Sequence, residues 1–163
     1  MMWTIRALLG GVFAFVVATN ICGSPAHAQQ SVVQKLMGTW ILRAGWEEFQ
    51  NGEKRTPWLT GSTSFDRNGH FTVFLIGKDR PKAFGDIRTP VGPFVAYYGT
   101  YTVNESEGLV QYDIDYGSTT ILDGTKGRQW TITFDGKVMR TTGKPIHTPQ
   151  GAFTPVNEWT RAK

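Results

Sequence analysis

The chain has 163 residues, 40% of them hydrophobic and 18% charged, and carries a formal net charge of +4. Its cations are scattered among acids with no basic run, which speaks against a nucleic-acid partner. Its single cysteine, Cys22, rules out an internal disulfide and a thiolate metal cluster.

The first segment reads as an export signal rather than as part of the fold. Arg6 precedes an apolar run from Ala7 to Ala18, Ser24-Pro25 breaks any helix, and Ala26-His27-Ala28 supplies small residues around a cut. Residues 1–28 are therefore expected to be a signal peptide, with Gln29 the mature N-terminus. A transmembrane anchor would need roughly 20 apolar residues, more than this run provides. A lipid anchor on Cys22 would follow Thr19-Asn20-Ile21, a poor lead-in for lipidation. Cleavage after Ala28 removes the only cysteine and Arg6, lowering the net charge from +4 to +3. The remaining 29–163 is expected to form one periplasmic or secreted domain with no transmembrane segment.

Ser31 can cap a short N-terminal helical turn whose apolar residues, Val32, Val33, Leu36 and Met37, cover one end of the fold. A first strand follows from about Thr39 to Phe49. Strict alternation puts Trp40, Leu42, Ala44 and Trp46 on one face, with Arg43 and Glu47 on the other. Asn51-Gly52 signals a type I′ turn, and Pro57 delays the second strand to about Leu59–Phe65. Asp66-Arg67-Asn68-Gly69 turns the chain into a third strand, His70 to Ile76. Gly77 to Pro93, rich in proline, glycine and charge, is expected to be a long loop over one end.

The fourth strand, about Val95–Val103, carries Tyr97, Tyr98 and Tyr101. In the fifth, Leu109–Tyr116, the residues Val110, Tyr112, Ile114 and Tyr116 oppose Gln111, Asp113 and Asp115. A polar loop over Gly117–Lys126 follows. Arg128–Phe134 and Lys137–Thr142 then flank Asp135-Gly136, and Thr154–Arg161 is the last strand. Eight strands joined to their sequence neighbours predict an all-β, up-and-down antiparallel barrel, wide enough for one small ligand.

Gly38-Thr39-Trp40 at one end and Trp159-Thr160-Arg161 at the other are suited to close such a barrel. The Trp40 indole would plug the floor with the Arg161 guanidinium across it, a stack worth about 0.5–2 kcal/mol. Gly38, Trp40, Trp159 and Arg161 are therefore assigned to barrel closure.

These residues resemble a known family. Leu36-Met37-Gly38-Thr39-Trp40, Asp79-Arg80-Pro81, Tyr97-Tyr98-Gly99-Thr100-Tyr101, the Gly124-to-Arg128 stretch and Trp159-Thr160-Arg161 follow in the order seen in bacterial lipocalin-like domain proteins, a branch of the calycin group. The resemblance covers Met37 to Arg161. It implies a lipocalin-like barrel with an internal pocket but no particular reaction. Where the family often carries histidine on its fifth strand, this chain has Tyr112 and Asp113, so histidine-based chemistry does not carry over.

The expected ligand-binding residues are Trp46, Tyr98, Tyr112, Tyr116, Trp130 and Arg80. Period-two alternation sends Trp46, Tyr112, Tyr116 and Trp130 inward with Trp40, whereas Tyr98 could face either way. The competing expectation is that these rings simply fill a solid core. Arg80 could clamp an anionic head at the rim, or pair with Asp79 or Asp86 and pin the loop. Arg128 and Arg140 are weaker candidates of the same kind.

His70 and His147 lack metal-ligand spacing, and Asp113 and Asp115 lie opposite the apolar face. No nucleophile or phosphate-loop motif is present. No catalytic residue, metal or cofactor is assigned. Three uses remain: binding of a small, mostly apolar or amphipathic molecule, a barrel isomerase, cyclase or hydratase using the same pocket, and a non-enzymatic protein-interaction module. The aromatic interior favours binding.

Overall fold

The computed structural model describes residues 31–80, 92–149 and 151–163. The expected signal peptide and residues 81–91 of the expected long loop lie outside the described residues.

One short helix, α1 (Val32–Leu36), precedes ten strands. Ser31 caps it, its hydroxyl accepting from Gln34 N at 3.2 Å. The Glu105 carboxylate accepts from Val32 N and Val33 N at 3.0 and 3.3 Å, satisfying two more of the amide donors left free at a helix start. Leu36 is fully buried at the barrel floor, so the helical turn does cover that end.

The strands are β1 (Gly38–Phe49), β2 (Lys54–Arg55), β3 (Trp58–Phe65), β4 (His70–Gly77), β5 (Phe94–Asn104), β6 (Leu109–Gly117), β7 (Arg128–Asp135), β8 (Val138–Gly143), β9 (Ile146–Thr148) and β10 (Gly151–Arg161). Eight of them form a closed, antiparallel, up-and-down barrel in the order β1-β3-β4-β5-β6-β7-β8-β10, and β10 returns to pair with β1. β2 and β9 are additions that alternation did not signal. They flank β1 and β10 beyond the barrel proper, so Glu47 and Glu48 pair with Arg55 and Lys54, while Phe153 pairs with Ile146.

The Asn51-Gly52 turn differs from expectation. A type I′ turn needs positive φ at both central residues, but among the described residues only glycines have positive φ, and here that is Gly52 at 83°. Phe49 N donates to Glu53 O and Gly52 N to Phe49 O, which makes a three-residue loop closed by a left-handed glycine. Asp66 to His70 repeats the arrangement, with Gly69 also at 83°.

The floor half of the barrel is packed solid. Phe65 meets Tyr101 edge-on at 5.2 Å, Phe71 stacks on Tyr112 at 4.2 Å and 14°, and Trp40, Val110 and Met139 are buried beside them. Trp40 Nε1 donates to Leu36 O at 2.8 Å, tying the plug to the helix.

Three register shifts interrupt the ladders. One lies between Leu42 and Ala44 on β1, one between Trp58 and Thr60 on β3, and one where Tyr98 pairs with Tyr116 but Gly99 with Ile114. Each extra residue reverses the inside–outside parity of everything beyond it. That reversal decides the composition of the site.

Candidate functional site: an aromatic cavity beneath the barrel mouth

Above the packed floor the barrel holds a cavity of about 240 Å³. Its walls are mainly rings, from Trp58, Tyr97, Tyr112, Trp130, Phe153 and Trp159, completed by aliphatic side chains of β4, β5 and β9. Polar groups are few: Glu47, Thr63, Arg128, Thr141 and Asn157. An apolar chamber with a handful of placed polar groups is the usual form of a small-molecule site. Gly45 helps keep the space open, because a Cβ there would lie 2.7 Å from Asn157 Oδ1 and 3.0 Å from the Trp58 ring.

Several polar atoms in this chamber are already committed. Trp159 Nε1 donates to Thr141 Oγ1 at 3.0 Å, and Thr63 Oγ1 donates to Thr72 O at 2.9 Å. Within the wall, Trp130 Nε1 is buried without a hydrogen-bond partner, although buried polar atoms are nearly always paired. Burial pushes the Tyr97 phenol up to about 12 and raises that of Tyr112 well above its ordinary value, and the nearby Arg128 guanidinium partly offsets both. Burial also raises the Glu47 carboxyl, against the opposing pull of Arg55.

The expected ligand-binding residues separate into two groups. Tyr112 and Trp130, 3% and 6% exposed, line the cavity with ring centroids 6.4 Å apart. Trp46, expected inward, lies on the outer face instead. The bulge at Arg43 shifts parity, so Gly45 and Glu47 point in, and Trp46 sits between Lys54 and Arg140 at 5.4 and 5.6 Å.

Tyr116 is corrected for the same reason. Asp115 is the extra residue on β6, and it turns Tyr116 outward to 62% exposure. Tyr98 also faces out, and the two rings meet 6.2 Å apart beside an outer groove that Phe74 and Phe94 share. Arg80 is exposed on the segment after β4 and does not line the cavity.

The closure residues come together. Arg161 lies 4.5 Å over the Trp40 ring, and a Cβ on Gly38 would collide with its guanidinium at 2.7 Å. Trp159 both buries its indole in the core and forms part of the cavity wall.

Alternation missed Tyr97, Glu47, Trp58, Phe153 and Asn157 as cavity residues. Tyr97 was available from its spacing to Tyr101 across Gly99. Glu47 and Asn157 had no signal, because one lies beyond a bulge and the other on a strand of mixed polarity.

Two of the groups that could have carried acid–base chemistry, Asp113 and His70, sit elsewhere. Asp113 Oδ1 accepts from Gly127 N at 2.8 Å and fixes the loop after β6. His70 is exposed, 3.3 Å from Asp66. Among the described residues no group of three His, Cys, Asp or Glu is placed to hold a metal ion, and no helix is long and apolar enough to cross a membrane.

Comparison with protein-family models and with curated proteins found no match. The cavity itself therefore carries the functional reading.

Proposed function

We propose that this chain is an exported, lipocalin-like barrel that binds one small, mostly apolar ligand in its interior. The observation that carries the reading is the aromatic cavity of about 240 Å³ above a packed floor. Its volume lies just below the roughly 300–1,000 Å³ usual for ligand pockets, which suits a compact molecule better than a long acyl chain. Export rests on the order of charge, apolar run and small residues in 1–28.

Of the acid–base groups the barrel-enzyme reading would use, Asp113 and His70 do not line the cavity, which leaves it the tyrosines and Glu47. The interaction-module reading would gain from a solid barrel with an apolar patch outside, and this barrel keeps an interior cavity.

Native mass spectrometry of the protein recovered from the host's periplasm or medium tests both parts. A mass beginning at Gln29 with an added small molecule, lost on solvent extraction, is the expected result. An uncleaved chain in the cytoplasm would overturn export. Failure of the purified protein to bind any compact apolar compound would overturn the ligand reading.

A further inference from the structure

We propose that the Arg128 end of the cavity is a head-group pole for a carboxylate, so that the ligand is a compact aromatic monocarboxylic acid. The inference rests on the binding reading above and adds the ligand's chemical class.

Arg128 is half-buried in the cavity wall, with its guanidinium 5.8 Å from the Trp130 ring centroid. Among the described residues it has no carboxylate within ion-pairing distance and no hydrogen bond. A guanidinium partly withdrawn from water normally has an acidic partner. Around it lie other donors without acceptors. Among the described residues the hydroxyls of Tyr97 and Tyr112 make no hydrogen bond, although the two side chains are 8% and 3% exposed. The charge of Arg128 acts on both phenols. One cation and two phenolic O–H groups thus line one chamber.

The charge count selects among anions. A carboxylate matches the planar fork of a guanidinium bidentately and brings one negative charge to one cation. A phosphate monoester would bring up to two, leaving excess charge in an apolar chamber. Glu47 lines the same cavity, and its carboxyl responds to Arg55 rather than to Arg128. The ring walls and small volume favour an aromatic body over a flexible chain.

Titration of the full-length exported protein with 2-naphthoate and with its neutral isostere 2-naphthamide, followed by calorimetry, tests this. The acid is expected to bind at least about tenfold more tightly than the amide, equivalent to about 1.4 kcal/mol. Arg128→Met should abolish the preference, costing the acid at least about tenfold more than it costs the amide. Arg128→Lys, which keeps the charge and loses the fork, should retain only part of the preference, and it serves if the methionine variant fails to fold. Equal binding of acid and amide by the unaltered protein would overturn the carboxylate pole and leave the binding reading standing. A preference that survives both substitutions would overturn the role of Arg128. Binding of neither compound would count against both the pole and the cavity as a binding site.

Discussion

Arg161 lies over Trp40, its guanidinium 4.5 Å from the ring centroid, and donates to the carbonyls of Met37 and Lys35 at 2.5 and 2.6 Å. The last strand thereby caps the last turn of α1, whose carbonyls have no partner within so short a helix. One side chain joins the helix, the plug and the closing strand pair. Arg161→Ala should lower stability by about 2–3 kcal/mol, from lost charged hydrogen bonds and the lost stack. Arg161→Lys should recover less than half of this, because an ammonium cannot span both carbonyls and the ring. Urea unfolding midpoints check both values, and a silent Arg161→Ala would remove Arg161 from the closure.

Gly99 faces the bulge at Asp115, and a Cβ there would come within 2.0 Å of Asp113 O. The obstacle is backbone, which cannot rotate aside as a side chain can. Gly99→Ala should therefore cost more than about 2 kcal/mol, beyond the usual range for a small substitution. Thermal unfolding measures the loss. A variant as stable as the parent would mean that the two strands are not held so closely.

Folding raises the Tyr97 phenol from 10.0 to about 12, chiefly through burial, so the fold favours its neutral form. That contribution is fully present below about pH 10 and is lost as pH rises through about 12. The step corresponds to roughly 3 kcal/mol. Tyr112 is displaced in the same direction and adds to the effect. Alkaline unfolding is thus expected within this window, with delayed phenolate absorbance. Tyr97→Phe keeps the ring, and it should lose less stability than the parent between neutral pH and about pH 11. Identical pH profiles for the two proteins would show that Tyr97 is not the buried phenol responsible.

Trp46 rests on the outer wall between Lys54 and Arg140, opposite Val156, which is buried outside the main core cluster. Trp46→Ala should cost about 1–2 kcal/mol in stability through the lost cation contacts and packing. Affinity for any ligand of the interior should not change. A large loss of affinity with intact folding would return Trp46 to the cavity wall.

Much of the architecture was legible in the chain itself. The seven connections between successive barrel strands fall where turn chemistry or long polar stretches place them, and the eight expected strands appear within a few residues of their positions. Local chemistry suffices for this: glycine permits the left-handed turn residue, and β-branched and aromatic runs favour extended backbone. The closing pair of Trp40 and Arg161 was also legible, since closure of a meander must bring its first and last strands together. Within regular stretches period-two alternation placed Trp40, Tyr112 and Trp130 correctly.

Which side chains form the cavity was decided only by the tertiary structure. Alternation holds only while the ladder is unbroken, and a bulge costs a strand one residue of register without leaving a mark in hydropathy. Arg43 and Asp115 are such residues. Past them Trp46 and Tyr116 leave the interior, Glu47 enters it, and no local pattern distinguishes the two outcomes. The meeting of Arg128 with Tyr97, Tyr112 and Trp130 likewise depends on strands wrapped around a common axis. Sequence determined that the chain would close, and the ladder irregularities, set by how neighbouring strands must twist to close it, determined what the closed barrel contains.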